Sequence, residues 1–240
     1  MQEALRRAMA RWGRPGTLRV DNGNPWGTTS GLPSCLSLWA AGLGVEMYWN
    51  DPRRPQQNGV VERSQGTTQR WVEPGGCANF AELCRRVAEE DRIQREVYPA
   101  IDGQSRLAAY PFLLHSGRGY SGSWEKYGWD LSAALALLAN YQVRRKVAKS
   151  GQVWLYNRKI YVGEAYARAE VDVRLDAASV QWVISDPQGQ EIRRRPPLGL
   201  TEESLRTLSF AKHETKRSQR RAAKRAAGSR QQQTPGGQAQ

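Results

Sequence analysis

Cysteine and histidine are scarce in this chain, and long apolar runs are missing from it. The only cysteines are Cys35, Cys77 and Cys84, and the only histidines are His115 and His213. The odd cysteine count, without a Cys-x-x-Cys pair or a nearby histidine, argues against a disulfide framework or a zinc site. No stretch approaches the roughly 18 apolar residues of a membrane span, and the N-terminus lacks the apolar segment of a signal peptide. We therefore expect a cytoplasmic protein with no membrane partner.

Acidic residues are also few relative to basic ones. Lys and Arg together number 36 against 23 Asp and Glu, which gives a formal net charge of +13. Residues 211–240 contain eight basic residues and one acid, so they account for +7 and leave +6 for residues 1–210. A polyanion is the expected partner. Nucleic acid fits better than a membrane surface, because no basic helix with a broad apolar face is evident.

Apolar spacing near the N-terminus predicts helices that alternate with short strands. A helix should end at Gly13, and a strand over residues 17–20 should follow it. Ser34 should cap a second helix that runs to about Leu43, before a strand over residues 45–49. This α/β order puts Asp21 at the carboxyl end of its strand, the edge where α/β sheets bind ligands.

Two more helices are expected, from Val60 to about Glu73 and from Asn79 to about Tyr98. The second begins with a capping-box pattern, Asn79-Phe-Ala-Glu82. Its inward side chains are predicted to be Phe80, Leu83, Cys84 and Val87. Residues 101–140 are interrupted by Gly and Pro and predict an irregular extension that ends in a short helix over residues 131–140.

From Tyr141 the apolar period changes from helical to two. About five short strands with turn residues between them are expected by residue 198. Closure would protect the edges of so small a sheet, so the pattern favours a small barrel. From residue 199 the apolar periodicity is lost, which predicts a disordered basic tail.

Two short motifs carry the candidate chemistry. The first is Val20-Asp-Asn-Gly23, and the second runs from Asp51 to Arg63 with the sequence DPRRPQQNGVVER. Each has an ordinary structural interpretation: Asp-Asn-Gly favours a turn, and the helix dipole favours a carboxylate such as Glu62 in a first helical turn.

Together the motifs resemble those of the RNase H-like polynucleotidyl transferases, specifically retroviral integrases and insertion-sequence transposases with retroviral-type cores. In that family the matching Asp and Glu are the second and third members of an Asp, Asp, Glu triad. The resemblance implies that Asp21 and Glu62 are catalytic and hold Mg²⁺ or Mn²⁺ in a two-metal site. It also implies that Asn58 and Gly59 shape the active-site loop and that Arg63 meets a phosphate. The implied activity is DNA transposition or integration by metal-dependent phosphodiester hydrolysis and strand transfer.

The resemblance covers roughly residues 1 to 200 and implies a fold class. The expected fold is α/β: part of an RNase H-like integrase core over residues 1–100, followed by the helical and irregular extension over 101–140. An all-β SH3-like DNA-binding barrel over 141–198 and the disordered basic tail over 199–240 complete it. The DNA-binding residues are predicted to be Arg144, Arg145, Lys146, Arg158, Lys159, Lys216, Arg217, Arg220, Arg221, Lys224 and Arg225. Scattered, solvated charge is the alternative interpretation of these cations.

The first aspartate of the family triad has no counterpart here. The strands and helix that the family places before the second aspartate need about fifty residues, whereas twenty precede Asp21. The expectation is a C-terminal part of a transposase that is inactive without its N-terminal part. Its partners would be that N-terminal part, the DNA of the element ends and target, and further copies of itself in a nucleoid-associated homo-oligomer.

Three hypotheses remain open from the sequence. The chain is a transposase or integrase piece that needs a complementing part, a non-catalytic DNA-binding remnant or regulator, or a basic RNA-binding accessory protein whose acids are structural. Metal-dependent nicking of DNA separates the first from the second. A strong preference for RNA would favour the third.

Overall fold

The computed structural model describes residues 1–28, 30–51 and 54–210. The chain divides into two compact units. The first unit consists of residues 1–143 together with residues 174–181, and the second consists of residues 144–173 and the chain from residue 182 onward.

The first unit is mainly helical, with one pair of strands. The strands are β1 (Thr17–Val20) and β2 (Glu46–Trp49), which pair in parallel. The helices are α1 (Gln2–Trp12), α2 (Cys35–Gly42), α3 (Gly59–Val72), α4 (Phe80–Arg92), α5 (Arg106–Ala109), α6 (Gly122–Gly128) and α7 (Leu131–Ala139). Short 3₁₀ turns lie at Pro55–Asn58, Pro74–Gly76 and Pro111–Leu113, and a π-helical turn lies at Ile93–Val97. The mixed α/β character predicted for this stretch is confirmed.

Helix α2 forms the centre of the first unit's core. Ser34 caps it as predicted, because the Ser34 hydroxyl accepts the N–H of Ser37 at 3.1 Å. Every residue from 36 to 42 is buried, and α2 packs against α7, where Leu135 and Leu138 are buried as well. Helix packing therefore contributes most of this core, and the two-stranded sheet lies beside it.

A charged cluster is buried next to α2. Glu125 of α6 is only 3% exposed and accepts two hydrogen bonds from Arg6, at 2.9 and 2.7 Å. It also accepts one from Trp39 Nε1 at 3.0 Å and one from the Tyr120 hydroxyl. Burial by itself raises the pKa of Glu125, but the hydrogen bonds from Arg6, Tyr120 and Trp39 outweigh burial and lower that pKa overall. The cluster joins α1, α2 and α6.

The prediction of which side chains of α4 point inward is wrong for three of the four residues. Phe80 is 78% exposed, and Val87 and Cys84 are also exposed. The buried residue of this helix is Glu90, which accepts a hydrogen bond from Thr68 of α3 at 3.1 Å. Leu83, the fourth residue predicted to point inward, is half-buried.

The second unit contains most of the strands that follow residue 141. The six strands are β3 (Gln142–Lys146), β4 (Gln152–Leu155), β5 (Arg158–Tyr161), β6 (Glu170–Asp176), β7 (Gln181–Ser185) and β8 (Glu191–Arg195). They form a four-stranded sheet in the order β3-β6-β7-β8 and a separate antiparallel hairpin of β4 and β5.

The predicted closed barrel is therefore not what the described residues form. Strands β4 and β5 have four residues each, and the two residues between them, Tyr156 and Asn157, both have positive φ. Such a two-residue turn twists neighbouring strands onto each other. The hairpin consequently pairs with itself, and the six strands described after residue 141 make two sheets.

The predicted start of a disordered tail at residue 199 is also wrong. Helix α8 (Glu202–Arg206) begins after Thr201, whose hydroxyl accepts the N–H of Ser204 at 3.2 Å. Leu205 and Phe210 are 0% and 2% exposed. Leu205 and Phe210 are five positions apart, which fits neither the helical nor the strand repeat, yet both are buried. Residues 211–240, with the predicted DNA-binding residues Lys216, Arg217, Arg220, Arg221, Lys224 and Arg225, lie outside the described residues.

The helices are short throughout the described ranges. None of them combines the length and the apolar character needed to cross a membrane.

Candidate functional site

The carboxyl ends of β1 and β2 lie side by side, and each strand runs into a polar segment. Val20 and Trp49, the last residues of the two strands, are register partners. Asp21 directly follows Val20, and Asn50 directly follows Trp49. Asp21 thus lies at the carboxyl end of a parallel pair, the position that the sequence predicts and the edge at which α/β sheets bind ligands.

Asp21 combines a turn with an exposed carboxylate. Its Oδ1 accepts the N–H of Gly23 at 3.1 Å, which is the contact of an Asx-turn. The residue itself is exposed to solvent. The turn uses one carboxylate oxygen and leaves the other with acceptor capacity, so the structural role of Asp21 does not preclude a ligand role.

Asn50 connects the strand ends to the loop before α3. It is 7% exposed, and its N–H donates to the Val20 carbonyl at 2.9 Å. Its side-chain Nδ2 donates to Asn58 Oδ1 at 2.5 Å, while its Oδ1 accepts from Arg19 Nε at 2.7 Å. Its carbonyl accepts from Asn22 Nδ2 at 2.7 Å. One buried residue therefore joins β1, the segment after Asp21 and the 3₁₀ turn that leads into α3.

Sequence reasoning did not identify Asn50. The available signal was its position, directly after the last residue of an alternating strand and at the same level of the sheet as Asp21. A polar residue at that point must find hydrogen-bond partners when it is buried.

A second set of contacts closes the loop from Asp51 onward. The Asp51 N–H donates to Gln57 Oε1 at 2.8 Å, and Gln57 Nε2 donates back to Asp51 Oδ2 at 3.0 Å. Arg54 Nη1 lies 3.2 Å from the same Oδ2. These reciprocal contacts make Asp51 and Gln57 positioning residues. The sequence analysis included both in the second motif but did not assign them this role.

Glu62 lies one turn into α3, beyond this anchored loop. The Pro55–Asn58 turn continues directly into the helix, which starts at Gly59. Gly59 has ordinary helical angles, φ −56° and ψ −29°, so its conformation does not require glycine. Glu62 and its neighbour Arg63 are both exposed, and no described side chain pairs with Glu62. The helix dipole favours a carboxylate at this place, and the side chain is available for a ligand.

A cleft of about 390 Å³ opens beside the strand ends. Trp49 and Tyr141 meet edge to face in it, with ring centroids 6.2 Å apart. Its other lining residues include Asn22, Trp26, Asn50 and Asp51. Aromatic rings and side-chain amides are groups that proteins use to stack on and hydrogen-bond nucleobases.

The carboxylates of the described chain do not form a complete metal site. Over residues 1–28, 30–51 and 54–210, no three His, Cys, Asp or Glu side chains are grouped so that they could hold an ion. Asp21 and Glu62 are hard oxygen donors of the kind that Mg²⁺ and Mn²⁺ prefer. The donor type fits such an ion, but the number of donors is too small for the two-ion site of the family triad.

The structure separates the predicted DNA-binding cations into two groups. Arg144 forms a bidentate pair with Asp172, with N–O distances of 2.9 and 3.0 Å, so its charge is locally compensated. Arg158 is half-buried and donates from Nε to the Phe210 carbonyl at 3.3 Å. Burial lowers the pKa of Arg145.

Lys146 and Lys159 make up the other group, because both are exposed and neither forms an ion pair with a carboxylate of the described residues. Among the predicted cations within the described ranges, these two are best placed to meet phosphate.

No protein-family model matches the chain. Its functional interpretation therefore rests on the two motifs and on the contacts described above.

Proposed function

We propose that this chain is part of a DNA strand-transferring enzyme of the integrase and transposase type, with Asp21 and Glu62 as two of its metal-binding carboxylates. The observation that supports this most is the Asn50 junction. It fastens the loop of the second motif, through Asn58, to the strand end from which the first motif departs. The junction thereby joins Val20, the residue before Asp21, to Asn58, which lies four positions before Glu62.

The proposed metal role requires a further carboxylate. Bound Mg²⁺ or Mn²⁺ supplies Lewis-acid activation of a phosphodiester and of the attacking oxygen. Asp21 and Glu62 would hold part of the metal shell, and Asn50 would keep the loop in register with them. Arg63, exposed next to Glu62, would pair with a phosphate of the DNA. The integrase pattern places the remaining carboxylate on a strand ahead of Asp21.

The test is complementation. The chain alone, incubated with Mg²⁺ or Mn²⁺ and an end-labelled DNA duplex, is expected to give no strand transfer. Adding a polypeptide that carries the upstream strands and their aspartate should restore it. Asp21→Asn or Glu62→Gln should then reduce the restored rate by about 10⁴ to 10⁶, because the members of a catalytic unit act together.

Glu73→Gln is the matched control, because Glu73 is exposed at the other end of α3. It should leave the restored rate unchanged. Restored activity that survives neutralisation of both Asp21 and Glu62 would contradict the assignment.

A DNA-binding protein without chemistry is the second candidate function. It is favoured by the absence of a three-member metal cluster among the described residues, together with the exposed Lys146 and Lys159. In either case duplex DNA is the proposed partner. Deleting residues 211–240 removes eight basic residues and should flatten the slope of log K against log salt by at most about 7. A slope that does not change would show that these residues do not contact phosphates.

A further inference from the structure

The outer face of the β4–β5 hairpin carries two aromatic side chains that the core does not use. Trp154 lies opposite Lys159 in the register, and Tyr161 lies opposite Gln152. Trp154 is 49% exposed and Tyr161 is 42% exposed, whereas the alternate residues Val153 and Ile160 are almost completely buried. Alternation thus gives the hairpin an apolar inner face and an aromatic outer face. The two outer rings therefore keep apolar surface exposed to water in the folded protein.

Cations accompany both rings. Lys159 Nζ is 5.3 Å from the Trp154 ring centroid, and Arg193 Cζ is 5.7 Å from that of Tyr161. Arg195 donates from Nε to the Tyr161 carbonyl at 3.1 Å. We refer to Trp154, Lys159, Tyr161, Arg193 and Arg195 as the hairpin face. It contains three positive charges and no acid.

A cavity adjoins the hairpin face. It has a volume of about 240 Å³, and Lys159, Tyr161 and Arg195 form part of its lining. Its apolar lining includes Trp182 and Leu198. The face is therefore continuous with an apolar recess large enough to accept part of a ligand.

The chemistry of the hairpin face selects its occupant. Flat aromatic rings stack on flat partners, and cations at the rings pair with anions that recur along the partner. In a DNA duplex the bases are already stacked on one another, so a duplex offers phosphates to the cations and nothing to the rings. Residues 211–240 hold +7 charge, so the three cations would repel them from the face. An unpaired DNA strand supplies both exposed base faces and regularly spaced phosphates.

We propose that the hairpin face binds unpaired, single-stranded DNA, with bases stacked on Trp154 and Tyr161 and phosphates paired with Lys159, Arg193 and Arg195. This inference deepens the proposed function, because it rests on DNA as the partner and specifies the form of DNA that the second unit holds. Frayed or displaced strands at DNA ends have this chemistry.

The test compares two probes on the full chain. Fluorescence anisotropy with a labelled oligo-dT and with a labelled duplex of equal length is measured at one fixed salt concentration. Trp154→Ala and Tyr161→Ala should each weaken oligo-dT binding by about 5- to 150-fold, the effect of one base stack. Neither substitution should change duplex binding by more than about twofold. Trp154→Phe, which keeps a ring, should retain most of the oligo-dT affinity.

Tyr127→Ala is the matched control. Tyr127 is 81% exposed and has a cation nearby, Lys126 Nζ at 5.4 Å from the ring centroid, but it lies in the first unit. It should leave both affinities unchanged. Circular dichroism verifies that each variant is folded, which is expected because the substituted rings lie on the surface.

The outcomes separate this inference from the proposed function. If the chain binds both probes and Trp154→Ala has no effect on oligo-dT, the inference fails and the proposed function stands. An equal loss for duplex and oligo-dT overturns it as well, since the face would then hold duplex. Stronger binding of a single-stranded RNA of matched sequence would overturn the choice of DNA. If the chain binds neither DNA probe, the proposed function fails together with the inference.

Discussion

Each of the two units is stabilised internally, and the contacts within them differ in how far apart the partners lie in the sequence. In the first unit, Arg6 and Glu125 are 119 positions apart, and the Trp129 indole donates to the Trp39 carbonyl at 3.0 Å across 90 positions. In the second unit, paired strands are close in sequence: β4 pairs with β5 across a two-residue turn, and β7 pairs with β8. A hairpin takes its backbone hydrogen bonds from residues close in sequence, whereas α2 of the first unit packs against the distant α7. The first unit should therefore depend on a few long-range contacts, and the second on many short-range ones.

The largest expected effect tests a contact of the second unit that is not short-range, the packing of Phe210 against Tyr156. Phe210 is 2% exposed, and its ring centroid lies 4.9 Å from that of Tyr156. Phe210→Ala should lower the free energy of unfolding of this unit by about 4 kcal/mol, because it leaves a cavity in the core. Amide hydrogen exchange in β5 and β7 measures the loss.

Leu198→Ala is the control for Phe210→Ala, since Leu198 is 66% exposed. It should cost less than about 0.5 kcal/mol. If both substitutions cost the same, residues 199–210 do not stabilise the second unit, and its stability is entirely short-range.

Removing the long-range cation of the first unit should be nearly as costly. Arg6→Met leaves the buried Glu125 carboxylate without its ion-pair partner. The expected loss is about 3 kcal/mol, the lower end of the range for a broken buried pair, since the Arg6 side chain is 30% exposed. Amide exchange in α2 and α7 should increase while that in β5 and β7 stays unchanged.

Arg7→Met, an exposed neighbour on the same helix, should have almost no effect on exchange. Equal exchange changes in both units after Arg6→Met would show that the units do not unfold separately. The long-range contacts of the first unit would then not be specific to its stability.

A smaller effect is expected from acid. Because the folded-state pKa of Glu125 is lowered, this carboxylate contributes stability that is complete above the unfolded-state pKa of about 4.3. That contribution is lost as the pH falls through the lower folded-state pKa. A pH titration of amide exchange should show the first unit losing protection below about pH 4, and Glu125→Gln should remove that part of the dependence. Identical acid profiles for wild type and Glu125→Gln would refute the link.

The smallest expected effect is local to α4. Asn79 caps this helix, its Oδ1 accepting the N–H of Glu82 at 2.9 Å. Asn79→Ala should cost about 1 kcal/mol and increase exchange in α4 about fivefold. Ser34→Ala, which removes the cap of the buried α2, should instead raise exchange across the first unit. If Asn79→Ala also did so, α4 would belong to the unit's central core despite its exposed apolar face.

The sequence determined the features that depend on local periodicity. Apolar spacing and cap residues predicted α1, α2 with its Ser34 cap, and the two strands that precede Asp21 and Asn50. Period-two alternation predicted the strands after residue 141. These features follow from the 3.6-residue helix turn and the two-residue strand repeat, which any short window of sequence reveals.

Only the tertiary structure decided which partners those elements take. Asn50 and Glu125 lie in unremarkable local sequence, and their roles arise from residues brought close by the fold, Asn58 in one case and Arg6 in the other. The side of α4 that faces α3 was likewise decided by hydrogen bonding, because Thr68 of α3 donates to Glu90. The physical reason is that a buried polar group must find a donor or acceptor wherever the chain supplies one, and periodicity carries no information about which residue that partner is.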